Sequence, residues 1–473
     1  MISFKILFLL IATSLSADKL VFLMTHFRHG ARAPQKYYDE VNHLDYVLES
    51  WKNPGELTPI GQRMHYALGL HNREKYIEQL NFLSNQFDPH EILIYSTRLN
   101  RTLLSAACHL QGLYPPGTGG TITEAQKDNA VPQVKLSDDV KKILSELNLN
   151  SLPNGTSVAP IRMINDNDKK MIIYDIPDCL WKRDEMREIN YKNSKELQNI
   201  VQSFSDKYSG TLNQMYGKEN TYDIDFVDNF CDAFISAKTE LLKMEKLSST
   251  NINQTELLNT CFEFMKLNFR DWISGDEERT LPTLEVSKLM REFIHYMRQR
   301  INADINKENI TAKLEDFSRP KMLMISAHDS TVSMWEMFLI KVFYNNDKTK
   351  YTYPKFASQL TFEVFVDDSI QEKKLSDYII NCTLNNDLFL SKNVEEFINE
   401  VEKNLYDDDK IDEICKFKSK TDVYFILTIV FSVTTGLFLI LTIIFIIKAF
   451  RKRDSDSIIK EGRLLNNSDS SFQ

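Results

Sequence analysis

The chain has 473 residues, 42% of them hydrophobic, which is ample material for a sizeable buried core and excludes a wholly disordered protein. A formal net charge of -9 excludes a nucleic-acid binder of the ordinary kind, since phosphate-backbone affinity rests on surplus Lys and Arg. Any basic site must be local.

Residues 1–17 begin with a lone Lys5, continue as ILFLLIA and close on Ser14, Ser16 and Ala17. That order of charge, apolar run and small residues is the pattern of a secretory signal peptide, and these residues are left out of the fold. Three later apolar runs have strand length and strand character: 20–24, 92–95 and 322–325. Each is continuously apolar, as expected of strands covered on both faces, so the fold class expected is α/β with a largely parallel sheet flanked by helices. Helical patterns lie between them at 59–76 and 101–113, the second stopped by Tyr114-Pro115-Pro116-Gly117. The more polar stretch 121–318 reads as an inserted, mainly helical lobe, with helices around 197–215 and 227–244 and a later one, 284–301, that returns the chain to the sheet. The lumenal or extracellular body is taken as 18–418.

Residues 423–447, VYFILTIVFSVTTGLFLILTIIFII, carry no charge, and about 20 apolar residues suffice to cross a bilayer as a helix. Lys448, Arg451, Lys452 and Arg453 follow at once. With the leader, this predicts a single-pass membrane protein with residues 448–473 as a cytoplasmic tail. All six Cys lie outside span and tail, which fits folding in an oxidising compartment. Asn154, Asn253, Asn309 and Asn381 head N-x-S/T triplets and are candidate glycan acceptors.

The chemistry follows the three apolar runs. After the first comes His26-Phe27-Arg28-His29-Gly30-Ala31-Arg32-Ala33-Pro34; after the second, Ser96-Thr97-Arg98-Leu99-Asn100-Arg101-Thr102; after the third, Ser326-Ala327-His328-Asp329-Ser330-Thr331. Open α/β sheets bind ligands beyond the carboxyl ends of their strands, so these loops are expected to converge. Several guanidiniums aimed at one point suit a phosphoryl group. His29 is then a nucleophile toward phosphorus, and Asp329 a general acid and later base. The Arg-His-Gly-x-Arg-x-Pro pattern fixes five positions, and its chance occurrence in a chain of this length is roughly one in several thousand.

At these residues the chain resembles the histidine acid phosphatases, in the branch holding the prostatic and lysosomal enzymes. The signature R-H-G-x-R-x-P is Arg28 to Pro34, R-T-L-x-S-A is Arg101 to Ala106, and S-A-H-D-x-T is Ser326 to Thr331. The resemblance implies His29 and Asp329 as catalytic residues and Arg28, Arg32, Arg101 and His328 as phosphate ligands, with Arg101 preferred to Arg98. It implies small phosphomonoesters as substrates, neither metal nor other cofactor, and is compatible with a homodimer. Leu57-Thr58-Pro59-Ile60-Gly61 resembles the family's L-T-x-x-G, a structural segment. Ala31 stands where the branch often has an acidic residue, which bears on the tuning of the adjacent arginines. No Cys occurs near residues 356–361, where the branch usually has the partner of Cys231, so Cys261 is the expected substitute. The resemblance pairs Cys179 with Cys415. Competing readings are a catalytically silent ectodomain on the same fold, or the same chemistry dedicated to inositol polyphosphate or lysophosphatidate. Asp454-Ser455-Asp456-Ser457-Ile458-Ile459 is similar to an acidic dileucine signal, which points to lysosome or endosome ahead of the plasma membrane.

Overall fold

The computed structural model describes residues 18–35, 53–164, 180–217, 219–242, 245–273, 280–308 and 319–415, with 431–432, 435 and 438–448 near the C-terminus. The leader, Cys179, Asn309, most of the apolar segment 423–447 and the tail signal lie outside them. Residues 1–411 form one compact unit and residues 412–473 a second.

The first unit is built on a seven-stranded sheet in the order β3-β2-β4-β1-β5-β6-β7. Its strands are β1 (Asp18–Arg28), β2 (Ile92–Ser96), β3 (Arg162–Met163), β4 (Met322–Ala327), β5 (Gln359–Asp367), β6 (Tyr378–Leu384) and β7 (Asp387–Asn393). The three strands expected from apolar runs are all present, and β1 and β4 lie side by side in the middle of the sheet. β1, β2, β3 and β4 pair in parallel, whereas β5, β6 and β7 pair antiparallel. The expectation of a largely parallel sheet is therefore corrected: the sheet is mixed. The change of sense begins where β5 pairs antiparallel with β1, and β6 and β7 continue it, joined only by Asn385-Asn386, both at positive φ (53° and 73°), a tight reversal that permits no parallel crossover between them.

The longer helices of this unit are α1 (Pro59–Arg73), α2 (Asn100–Leu113), α3 (Asp138–Glu146), α4 (Leu180–Asn193), α5 (Lys195–Tyr216), α6 (Ile224–Thr239), α7 (Gln254–Leu267), α8 (Thr280–Ile305), α9 (Asp329–Tyr344) and α10 (Val394–Asn404). α1 starts where it should, with Thr58 accepting from the Gly61 N–H and Pro59 just inside the first turn. α8 does return to the sheet: Phe293 places its ring 5.9 Å from Phe22 of β1 and 5.1 Å from Phe362 of β5. α6 and α7 are joined by the Cys231–Cys261 disulfide, the pairing expected once the family partner was missing. Cys108 and Cys382 are free, and Cys415 is disulfide-bonded.

Among the described residues no helix is long and apolar enough to cross a membrane. Residues 438–448 are helical and exposed.

Candidate active site

β1, β2 and β4 run parallel, so their carboxyl ends share one edge, and there the three motifs meet. The turn after β1 is set by two glycines in mutual contact. A Cβ on Gly30 would sit 2.3 Å from the Gly61 carbonyl oxygen, and one on Gly61 only 2.1 Å from that of Ala31. This is the physical content of the Leu57–Gly61 motif: it clamps the Arg-His-Gly turn from below. From the side, Ser105 Oγ accepts the Gly30 N–H at 3.1 Å, which explains the serine of the Arg101–Ala106 motif.

His29 is 1% exposed. Its Nδ1 lies 2.9 Å from the Gly30 carbonyl oxygen. A carbonyl only accepts, so Nδ1 carries the proton and Nε2 the lone pair. Burial lowers the pKa of this imidazole well below the usual value, and the charges of Arg28, Arg32 and Arg101 lower it further. The ring is thus held neutral, the state a nucleophile needs. His328, just before α9, stands edge-on to it at 5.7 Å between centroids and is likewise kept neutral by burial and the same arginines. Thr97, at the end of β2, hydrogen-bonds His328 Nε2 at 2.9 Å.

The three arginines share one feature. Arg28 gives Nη1 to Tyr353 Oη (3.0 Å) and the Pro354 carbonyl (2.8 Å), and its Nη2 lies 2.7 Å from Asp329 Oδ2. Arg32 gives Nη1 and Nη2 to the two oxygens of Asp232 at 3.1 and 2.9 Å, a fork-to-fork pair. Burial alone would lower the pKa of Arg32, but Asp232 more than offsets it and the value is raised. Arg101 sits in the first turn of α2, where burial and the neighbouring Arg32 lower it to about 10. In each of the three, Nε is buried and has no hydrogen-bond partner among the described residues. Buried donors without acceptors are costly, and three around one histidine call for a ligand rich in acceptor oxygens.

One cavity is lined by Arg32, Arg101, His328 and Asp329 on one side and by Asp228, Asp232, Asn268 and Phe269 on the other. The structure therefore gathers all six predicted residues, with Arg28 and His29 buried at the strand end. Arg98 is exposed and does not line this cavity. Sequence reasoning missed Asp232, Asp228, Tyr353 and Phe356, whose ring lies 4.3 Å from the Arg28 guanidinium carbon. None sits in a motif; Asp232 has only its neighbour Cys231 to mark it.

The profile of the histidine phosphatase superfamily (branch 2) matches residues 19–385. The chain belongs to this family. Among histidine phosphatases of known name, it is 25% identical to rat lysosomal acid phosphatase over 370 residues, covering 76% of this chain and 71% of that protein. It is 38% identical to Xenopus laevis lysosomal acid phosphatase over 98 residues, and there the matched stretch spans only 22% of that protein's length and 21% of this chain. The fold matches that of Citrobacter braakii phytase with a TM-score of 0.51 at 12% identity, over 84% of this chain and 99% of that one.

Among the candidate glycan acceptors, Asn154 and Asn253 are exposed. Asn253 also caps α7, accepting from Thr255 and Glu256 N–H. Asn381 lies within β6 and accepts a hydrogen bond from Ser391 Oγ at 2.7 Å.

Proposed function

We propose that the protein is an acid phosphatase that hydrolyses phosphate monoesters through a phosphohistidine at His29. One observation carries this reading: three buried arginine Nε–H donors without acceptors surround a histidine whose Nε2 bears the lone pair. A phosphoryl group seated on Arg28, Arg32 and Arg101 satisfies those donors and meets the charge that spreads over the equatorial oxygens as the bond breaks. His29 Nε2 attacks phosphorus; the bond from phosphorus to the ester oxygen breaks, and that oxygen takes a proton from Asp329. Asp329, then a carboxylate, removes a proton from the water that attacks the phosphohistidine, and inorganic phosphate leaves. Asp329 lines the cavity with its Oδ1 fixed by the Ser330 N–H at 2.9 Å, and a phosphoryl group that takes up Arg28 frees the carboxyl from that ion pair to enter the cycle protonated. His328 binds the phosphoryl group beside Arg101.

The test is an acid-quench trap with a labelled monoester. Label that is acid-labile and alkali-stable, and absent in His29→Ala, is expected; label that persists in that variant would remove His29 from the nucleophile role.

The same proposal places the protein in a membrane by one helix over residues 423–447, with the body lumenal in lysosome or endosome or exposed at the cell surface. It is supported by the uncharged run itself, by the exposed apolar side chains of Phe438, Leu441 and Phe445, and by the lysosomal enzymes among the relatives. Protease protection of the tail in sealed vesicles tests it.

A further inference from the structure

The phosphate ligands occupy only part of the cavity. Its other wall comes from α6 and from the turn after α7, with Asp228, Asn268 and Phe269 all lining it. Asp228 is half-buried and receives a single hydrogen bond, from Asn268 Nδ2 at 2.8 Å, which fixes one carboxyl oxygen. Phe269, 8% exposed, stands on the same wall with its ring 5.3 Å from that of Tyr353. Independently of this wall, Arg32 is 2% exposed, lines the same cavity and has an Nε without an acceptor, so the space between them is a ligand site.

Charge decides what enters beyond the phosphate. Asp232 already holds both Nη atoms of Arg32, and a phosphoryl group takes up Arg101 and the free Nε of Arg32 and Arg28. Among the described residues lining the cavity Asp228 then has no cation of its own; Arg187 acts on it without lining the cavity. A carboxyl and an aromatic ring lining one cavity suit an ammonium, which gains from both the charge and the ring quadrupole. A second phosphate or a carboxylate there would meet like charge.

We propose that Asp228 and Phe269 form a leaving-group subsite for an ammonium, so that near and above neutral pH short aminoalkyl phosphates are better substrates than neutral or anionic esters of equal size. The proposal rests on the phosphatase reading and adds the substrate class. Burial raises the pKa of Asp228 to about 7, helped by Asp232, Asp225 and Asp329 and opposed by Arg187. Arg32 and Arg101 face it across the cavity, and both stay charged throughout the range concerned. The preference therefore sharpens as pH rises through the titration of Asp228.

The experiment measures kcat/KM for 2-aminoethyl phosphate, 2-hydroxyethyl phosphate, 2-phosphoglycolate and 4-nitrophenyl phosphate in the full chain, at about pH 5 and about pH 8. The ammonium lowers the second pKa of its own phosphate, so the ratio of the first two esters is read against the same ratio in Asp228→Asn, where that difference is unchanged. The aminoethyl ester is expected to exceed the hydroxyethyl ester by roughly tenfold at the higher pH, with the glycolate ester last. Asp228→Asn, checked for folding by its melting curve, should bring the first two within about twofold, and Phe269→Leu should reduce the ratio by about threefold. Turnover of every ester without that order, or the same order in Asp228→Asn, would overturn the subsite. No turnover of any ester, the nitrophenyl one included, would instead overturn the phosphatase reading on which it rests.

Discussion

The two walls of the cavity are built in different ways. On the sheet side, Arg28, His29, His328 and Asp329 stand on or directly after buried strands, and backbone hydrogen bonds fix them: the His29 N–H donates to Ala327 O at 3.0 Å, and its carbonyl accepts from Ala357 at 3.1 Å. On the helix side, Asp228 and Asp232 are side chains one turn apart on α6, whose position depends on helix packing and on the Cys231–Cys261 bond. A strand end cannot move without breaking the sheet, whereas a helix can shift by a fraction of an ångström at little cost. Bond-breaking chemistry is thus assigned to the rigid wall and discrimination to the adjustable one.

The largest effects are expected from the sheet-side residues. His29→Ala should lower kcat/KM by on the order of ten-thousandfold for every monoester, with no trapped phosphoenzyme, because the other neutral imidazole there, His328, has its Nε2 engaged by Thr97. Next comes Asp329→Asn, expected to cost about a hundredfold or more for an alkyl phosphate but clearly less for a nitrophenyl phosphate, whose leaving group needs little protonation. Arg101→Ala should depress both substrates by similar factors. Equal losses for the two substrates in Asp329→Asn would take the proton-donor role from Asp329.

Two smaller effects probe the helix side. The Cys231–Cys261 bond spans a sequence separation of 30, so replacing both cysteines with Ala should destabilise the protein by about 3 kcal/mol in urea titrations. If α6 then repositions, the ratio between leaving groups should change more than the rate with nitrophenyl phosphate; a uniform loss would argue against the division of labour. The last test uses protons. Asp228 titrates at about 7 in the fold against 3.8 for an ordinary aspartate. Between those values the native state keeps a proton that the unfolded chain has lost, so the contribution of this group to stability is greatest at acid pH and declines as pH rises toward 7. Asp228→Asn should therefore gain stability relative to the unaltered protein at neutral pH and little at pH near 4. An equal gain at both values would show that its proton is not at issue.

How far the molecule was legible in its sequence follows the same division. β1, β2 and β4 announce themselves because a strand buried on both faces must be continuously apolar, and the groups that follow each one are tied to it by the chain. The antiparallel half was not foreseen, since β6 alternates buried and exposed residues and its reversal at Asn385-Asn386 depends on backbone conformation. Asp232 was invisible for a different reason. Its partner Arg32 is 200 positions away, and no local pattern on a helix face tells a carboxylate that holds an arginine from one that meets solvent. The histidines show the converse. His26, His65 and His109 are as buried as His29, but burial is the main cause that lowers them, without the arginine charges that act on His29, and His109 stacks on Phe27 at 4.9 Å.

The contact between His29 Nδ1 and the Gly30 carbonyl reaches beyond the unliganded protein. Phosphorylated histidine exists as two regioisomers, and here the pros nitrogen is already engaged as a donor to an oxygen that cannot give it up without opening the Gly30–Gly61 clamp. The modified protein should accordingly carry its phosphate on the tele nitrogen alone, so that a reagent selective for tele-phosphohistidine would stain the quenched enzyme and one selective for the pros isomer would not.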